Sequence, residues 1–249
     1  MTRVGILYPG HSAEDDYKTF AGILGGGIEL PVVHTLMRED AHRVDALLDV
    51  GSEGVLAKGA QELNAMEVDS AVWACTSGSF VYGWEGARRQ VQGVRDVTGV
   101  PSSSTSFAFV HALSQLRLTR VAIAATYPDD VAQRFVEFLT EAGVSVVSMA
   151  SHGIATAAEV GHLDPDDALD FVISNDHPRA EAVLVPDTAL HSADLIEPME
   201  ALLGKTVLTA NQVSVWEGIR LTGRHEARPG PGTLFRSGSS VVRSVFAAG

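Results

Sequence analysis

The chain has 249 residues, 45% of them hydrophobic and 20% charged, which is ordinary for a globular protein and enough to bury a sizeable core. A formal net charge of −13 argues against nucleic acid as a partner, since neutralising phosphate needs clustered Lys and Arg. No apolar run of about 18 residues is present to span a membrane. The single cysteine, Cys75, excludes an internal disulfide, and residues 1–10 lack a signal-peptide core, so a cytoplasmic setting is expected.

Strand-length apolar runs alternate with helix-length segments along the chain. Strands are expected at 3–8, 31–37, 69–75, 100–103, 120–127, 144–149, 181–186 and 205–208. Helices are expected at about 40–66, 80–98, 104–117, 129–142, 164–177, 189–203 and 210–222. Continuous apolar strands suit parallel sheets covered on both faces, so the fold class is α/β.

The chain nearly repeats itself. Thr2-Arg3-Val4 opens the first strand, which turns at Tyr8-Pro9-Gly10-His11; Thr119-Arg120-Val121 opens the fifth, which turns at Tyr127-Pro128-Asp129-Asp130. The strand ending at Cys75-Thr76 has a partner ending at Asp187-Thr188, and Val100-Pro101-Ser102-Ser103 has one in Val207-Leu208-Thr209. This divides the chain into lobes at about 1–117 and 118–209, with helix 210–222 packing back on the first lobe and 223–249 as a C-terminal extension. In that extension, Val241, Val242, Val245 and Phe246 fall at the spacing of a docking helix. Ligands of open α/β sheets bind beyond the carboxyl ends of the strands, so the cleft between lobes is the expected site.

Cys75 ends an apolar strand before Thr76-Ser77-Gly78-Ser79, a helix-start sequence. Backbone N–H groups there favour a thiolate and can also receive a carboxylate, although a cysteine in this place is equally a small buried apolar residue. Asp187 is the repeat-mate of Cys75; opposite a thiolate it suits a proton donor, and before Thr188-Ala189-Leu190 it equally suits a helix cap. Tyr127 ends the first strand of the second lobe and can donate to a carboxylate. Ser103, Thr105 and Asn211 lie at analogous strand ends. His11 and His191 follow strand ends, and one helical turn would bring His191 to Asp187. The remaining histidines are scattered without HxH, HExxH or CxxC spacing, and no GxxxxGK[ST] loop occurs, so no metal and no nucleotide cofactor is expected. The Gly25-Gly26-Gly27 run reads as a connector.

With these residues in view, the chain resembles the aspartate/glutamate racemase superfamily, and most closely its branch of maleate cis-trans isomerases and arylmalonate decarboxylases. The resemblance covers about residues 1–222 and is carried by the Arg3-to-Pro9 opening, Ala74-Cys75-Thr76-Ser77-Gly78-Ser79, Ala125-Thr126-Tyr127 with Val131, and Asp187-Thr188. It implies two pseudosymmetric flavodoxin-like lobes with four-stranded parallel sheets, an interlobe site, cofactor-independent chemistry and a homo-oligomer, either dimer or tetramer. It places Tyr127 on the substrate carboxylate, while the residues themselves give Cys75 and Asp187 as the candidate catalytic groups, with Pro9, His11, Thr76, Ser77, Ser103 and Thr188 around a small carboxylate substrate. Two departures stand out. The isomerases and racemases use two cysteines, one per lobe, and the decarboxylases only one, in the second lobe, whereas here Cys75 stands in the first lobe and the second position is Asp187; and Gly10-His11-Ser12 replaces a Ser-Asn-Thr type sequence. Cysteine-based isomerisation of an unsaturated carboxylate leads the readings. Decarboxylation of a malonate-type acid, racemisation of an amino acid, and non-catalytic carboxylate binding are the alternatives.

Overall fold

The computed structural model describes residues 1–224, 226–228 and 230–237. Val241, Val242, Val245 and Phe246 lie outside the described residues. The first half of the chain runs β1 (Thr2–Pro9), α1 (Asp16–Leu24), β2 (Ile28–Glu29), β3 (Val32–Thr35), α2 (Val44–Val50), α3 (Glu53–Asn64), β4 (Ser70–Trp73), α4 (Ser77–Phe80), α5 (Gly83–Thr98), β5 (Ser102–Ser104) and α6 (Thr105–Leu116). The second runs β6 (Arg120–Ala125), α7 (Asp129–Glu141), β7 (Ser145–Ser151), α8 (Ala157–Gly161), α9 (Pro165–Ser174), β8 (Ala182–Val185), α10 (Ile196–Leu203), β9 (Thr206–Thr209), α11 (Ala210–Leu221) and α12 (Gly232–Arg236).

Two parallel sheets result, wound in the same order. The first is β3-β1-β4-β5, with the short β2 added beside the start of β1 as a fifth strand beyond the four expected; the second is β7-β6-β8-β9. In each sheet the chain leaves its first strand to one side and returns on the other, which opens a crevice at the carboxyl ends of β1/β4 and of β6/β8.

Side-chain alternation along the strands explains how the sheets join. Val4, Ile6 and Tyr8 of β1, Val72 of β4, Val121, Ile123 and Ala125 of β6, and Leu184 of β8 all enter one central core shared by both halves. The intervening residues face separate outer cores: Leu7, Ala71 and Trp73 on one side, Ala122, Ala124, Val183 and Val185 on the other. Period-2 alternation between two buried faces is what makes these strands read as unbroken apolar runs. Helix α11 packs against β1, β4, β5 and α6.

Three expected helices divide or start later than expected. The 40–66 segment divides into α2 and α3 at Gly51, where a Cβ would lie 2.2 Å from the Gly78 carbonyl and 2.5 Å from Gln90 Nε2. Only glycine permits that approach, and Gln90 Nε2 donates to both the Gly51 and Gly78 carbonyls at 2.8 Å. The 80–98 helix starts at Gly83 as α5, preceded by the separate single turn α4. The 189–203 helix begins only at Ile196, because the carboxylates of Asp187 and Asp16 take the N–H groups of Ala189, Ser192 and Ala193 and hold 188–195 in turns.

Glu217 of α11 is fully buried, with His111 Nδ1 of α6 at 2.8 Å and Arg220 Nε at 2.6 Å. Burial alone pushes its carboxyl up, but His111 and Arg220 outweigh burial and hold it far below the usual carboxylate range. Such a group contributes stability above the unfolded pKa of about 4.3, and that contribution fades as pH falls below it. Glu217→Gln should destabilise the fold by about 2–3 kcal/mol at pH 7, less than for a fully dry pair because His111 and Arg220 reach solvent. Urea unfolding at pH 7 and pH 4 should show the difference between variant and parent shrinking at the lower pH.

Candidate active site

The carboxyl ends of β1, β4 and β8 enclose a small cavity between the lobes, of about 30 Å³, room for one or two water molecules. Cys75 and Ser77 reach it from the first lobe, and Asp187, Thr188 and Ala189 from the second. Tyr8, Pro9 and Ser12 line one part of it, and Met37 and Glu39 to His42, between β3 and α2, another. Among the described residues neither Lys nor Arg lines it, so an anion bound here relies on N–H and hydroxyl donors.

Cys75 Sγ accepts a hydrogen bond from the Gly78 N–H at 3.2 Å and lies 3.8 Å from the Ser77 hydroxyl. A Cβ at residue 78 would come within 2.9 Å of the sulfur, so glycine there admits the thiol to the amide. The expectation of a favoured thiolate is nevertheless corrected. Burial raises the thiol to about 11, the Gly78 and Ser77 donors offset only part of that, and Asp187 adds to the rise. Helix α4 has only four residues, so its dipole is small.

Asp187 is buried at the end of β8. Its Oδ1 accepts from the Ala189 N–H at 2.9 Å, the turn-capping role, while its Oδ2 accepts from the Thr126 hydroxyl and lies 3.9 Å from His42 Nε2. The two repeat-related tyrosines bracket it in the chain: Tyr8 donates to the Thr188 carbonyl at 3.0 Å and Tyr127 to the Pro186 carbonyl. Burial raises both phenols above their ordinary value, that of Tyr127 well above it.

The other expected site residues are placed differently. Tyr127 is buried behind the cavity wall, its hydroxyl engaged by Pro186 and its ring edge-on to His42. Thr76 is buried beside the cavity with its Oγ1 unpartnered among the described residues. Ser103 lies in β5, one strand beyond Cys75, and does not reach the cavity. Thr105 bonds Ser214, and Asn211 bridges to Tyr17 and Asp16, ties between elements that leave neither at the cavity. His11 is exposed and turned away, bonded to Glu14 and stacked on His34 at 4.1 Å. His191 does not meet Asp187: residues 188–195 are not helical, and its Nε2 pairs with Asp15 at 2.8 Å. Among the described residues, one group, His11, Glu14 and His34, places potential metal-ligand atoms within 4.8 Å of each other, and none of the three lines the cavity.

Tyr8, Thr126 and His42 were missed. Tyr8 had a signal, its match to Tyr127 in the internal repeat. His42 had none, because its partners Ile154 and Ala155 lie over 110 residues away in sequence.

With the thiol raised to about 11, well under a thousandth is ionised at pH 7. Iodoacetamide should therefore alkylate resting Cys75 more slowly than a small exposed thiol, with a rate still climbing between pH 8 and pH 10. A rate plateau below pH 8 would contradict the burial argument.

The family model described as arylmalonate decarboxylase matches residues 45–235. Arylmalonate decarboxylase of Bordetella bronchiseptica is 31% identical over 145 residues, covering 57% of this chain and 60% of that protein, so the chain spans under two thirds of this relative's length. A maleate isomerase of Pseudomonas putida S16, solved with maleate, superposes with a TM-score of 0.86 at 21% identity over 95% of this chain and 98% of that one. A maleate cis-trans isomerase of Nocardia farcinica, a cysteine-to-serine mutant with a covalently bound succinylcysteine intermediate, superposes at 0.85 with 23% identity over 96% and 99%. The match over more than three quarters of its length, together with this shared two-sheet fold, makes the chain a member of the arylmalonate decarboxylase family, in the branch of the Asp/Glu racemase superfamily that also holds the maleate isomerases.

Proposed function

We propose that the protein is a cofactor-independent isomerase of a small unsaturated carboxylate of the maleate type, with Cys75 as nucleophile. The observation that carries this reading is the position of its only thiol: in the interlobe cavity, on the first-lobe loop, with the Gly78 N–H directed at the sulfur. The succinylcysteine held by the Nocardia enzyme is the adduct that thiol addition to maleate leaves.

In this mechanism the sulfur bonds to one alkene carbon and the π pair moves toward the carboxylate on the other, giving an enediolate that takes up a proton at carbon and becomes a saturated thioether. Rotation about the former double bond, loss of a proton from that carbon and expulsion of the sulfur give the trans alkene. Ser77, Thr188 and the loop amides are the donors within reach of the enediolate oxygens. The high resting thiol value means that addition requires a base, and a cavity of about 30 Å³ has to widen to hold a dicarboxylate. Excluding water after closure strengthens the hydrogen bonds that hold the charge.

A second reading, decarboxylation of an arylmalonate with Cys75 protonating the enediolate, is favoured by the family match and by the sufficiency of one thiol. Incubation with maleate and with phenylmalonate, followed by proton NMR, separates the two: fumarate should form from maleate, whereas loss of CO2 from phenylmalonate alone would select the decarboxylase. Cys75→Ser should reduce turnover by more than about 10³-fold, as loss of a nucleophile does, with an unchanged fold by circular dichroism. Unaltered turnover in this variant would dismiss the thiol mechanism.

A further inference from the structure

The β3–α2 segment carries His42 across to the second lobe. Its backbone N–H donates to the Ala155 carbonyl at 2.6 Å, and its Nδ1 lies 2.9 Å from the Ile154 carbonyl. A carbonyl can only accept, so Nδ1 carries a proton and, in the neutral ring, Nε2 is left with its lone pair. That atom lies 3.9 Å from Asp187 Oδ2, and both residues are buried and line the cavity that Cys75 enters. The nearby acids are otherwise engaged: Asp40 accepts from the N–H groups of Ala157 and Ala158, and Glu39 pairs with Arg43 at the surface. Asp187 itself already accepts from Thr126 and Ala189.

At that distance a proton taken up by Nε2 meets the Asp187 carboxylate as its counter-charge. We propose that His42, with Asp187 as its counter-group, is the acid and base that protonates and deprotonates the substrate carbon adjacent to the one bonded to Cys75, the task left open by the absence of a second thiol. This rests on the thiol-addition reading above. The Cys75 proton passes to Nε2, directly or through a water in the cavity. The sulfur pair forms the C–S bond, the alkene π pair forms a C–H bond with the proton from Nε2, and a saturated thioether results. After rotation, Nε2 removes a hydrogen from that carbon, the C–H pair re-forms the alkene, and the C–S pair returns to sulfur, which recovers a proton. No net proton or electron is exchanged. Elimination in the geometry of addition returns the cis acid if the added proton leaves, and gives the trans acid if the other one leaves. The trans product therefore keeps the hydrogen delivered by His42.

The test uses the full chain, maleate as probe and deuterated water, read by NMR. Fumarate from the parent protein should carry one deuterium. His42→Asn places an amide N–H where Nδ1 bonds Ile154 but has no atom at Nε2; kcat should fall at least about 100-fold, with KM changed less than about threefold. His42→Gln, which loses the tether, should raise KM as well. Fumarate without deuterium from the parent, or an undiminished kcat in His42→Asn while Cys75→Ser is inactive, would overturn this assignment alone. Undiminished kcat in Cys75→Ser would overturn the thiol reading, and this assignment with it.

Discussion

Two parallel sheets each have two apolar faces, and here one face of each is buried in a core common to both. That shared core leaves little freedom in how the halves sit. It fixes the strands of one lobe against those of the other through α6, α7 and α11, and it brings the carboxyl ends of β4 and β8 to opposite sides of one cavity. Cys75 and Asp187 meet there because each ends a central strand beside the point where its sheet reverses winding.

The polar contacts between lobes follow from that placement, since a buried donor or acceptor must find a partner. Asp16 of α1 accepts from Ser192, Ala193 and Asn211, and Tyr17 beside it donates to Asn211. Tyr8 crosses to the Thr188 carbonyl beside Asp187, while Tyr127 reaches the Pro186 carbonyl on the other side from within the second lobe. Asp40 caps α8 across the cleft, where free N–H groups await an anion. These ties hold the loops around the cavity.

Electrostatics inside the cavity are set by burial more than by helix ends. A four-residue helix offers one amide to the thiol, and desolvation exceeds what that amide supplies. With no Lys or Arg among the described lining residues, negative charge there is met by neutral donors. A site of this kind suits chemistry in which negative charge appears briefly, on a sulfur or an enediolate, rather than one that stores it.

Local pattern carried the α/β class, the parallel sheets and the repeat, because apolar runs and turn residues are properties of adjacent positions. Cys75 and Asp187 were visible for the same reason: each follows a strand, and the repeat aligns them. Tyr8 was within reach through its match to Tyr127. Other features depended on contacts between distant segments. The break at Gly51 exists because the backbone must pass the Gly78 carbonyl, and the loss of helix at 188–195 because the Asp16 and Asp187 carboxylates take its amides. The outward turn of His191, the displacement of His11 and Ser103, and the seat of His42 were decided by packing. So was the protonation of Cys75, because desolvation depends on what surrounds the sulfur in three dimensions and not on which residues adjoin it in the chain.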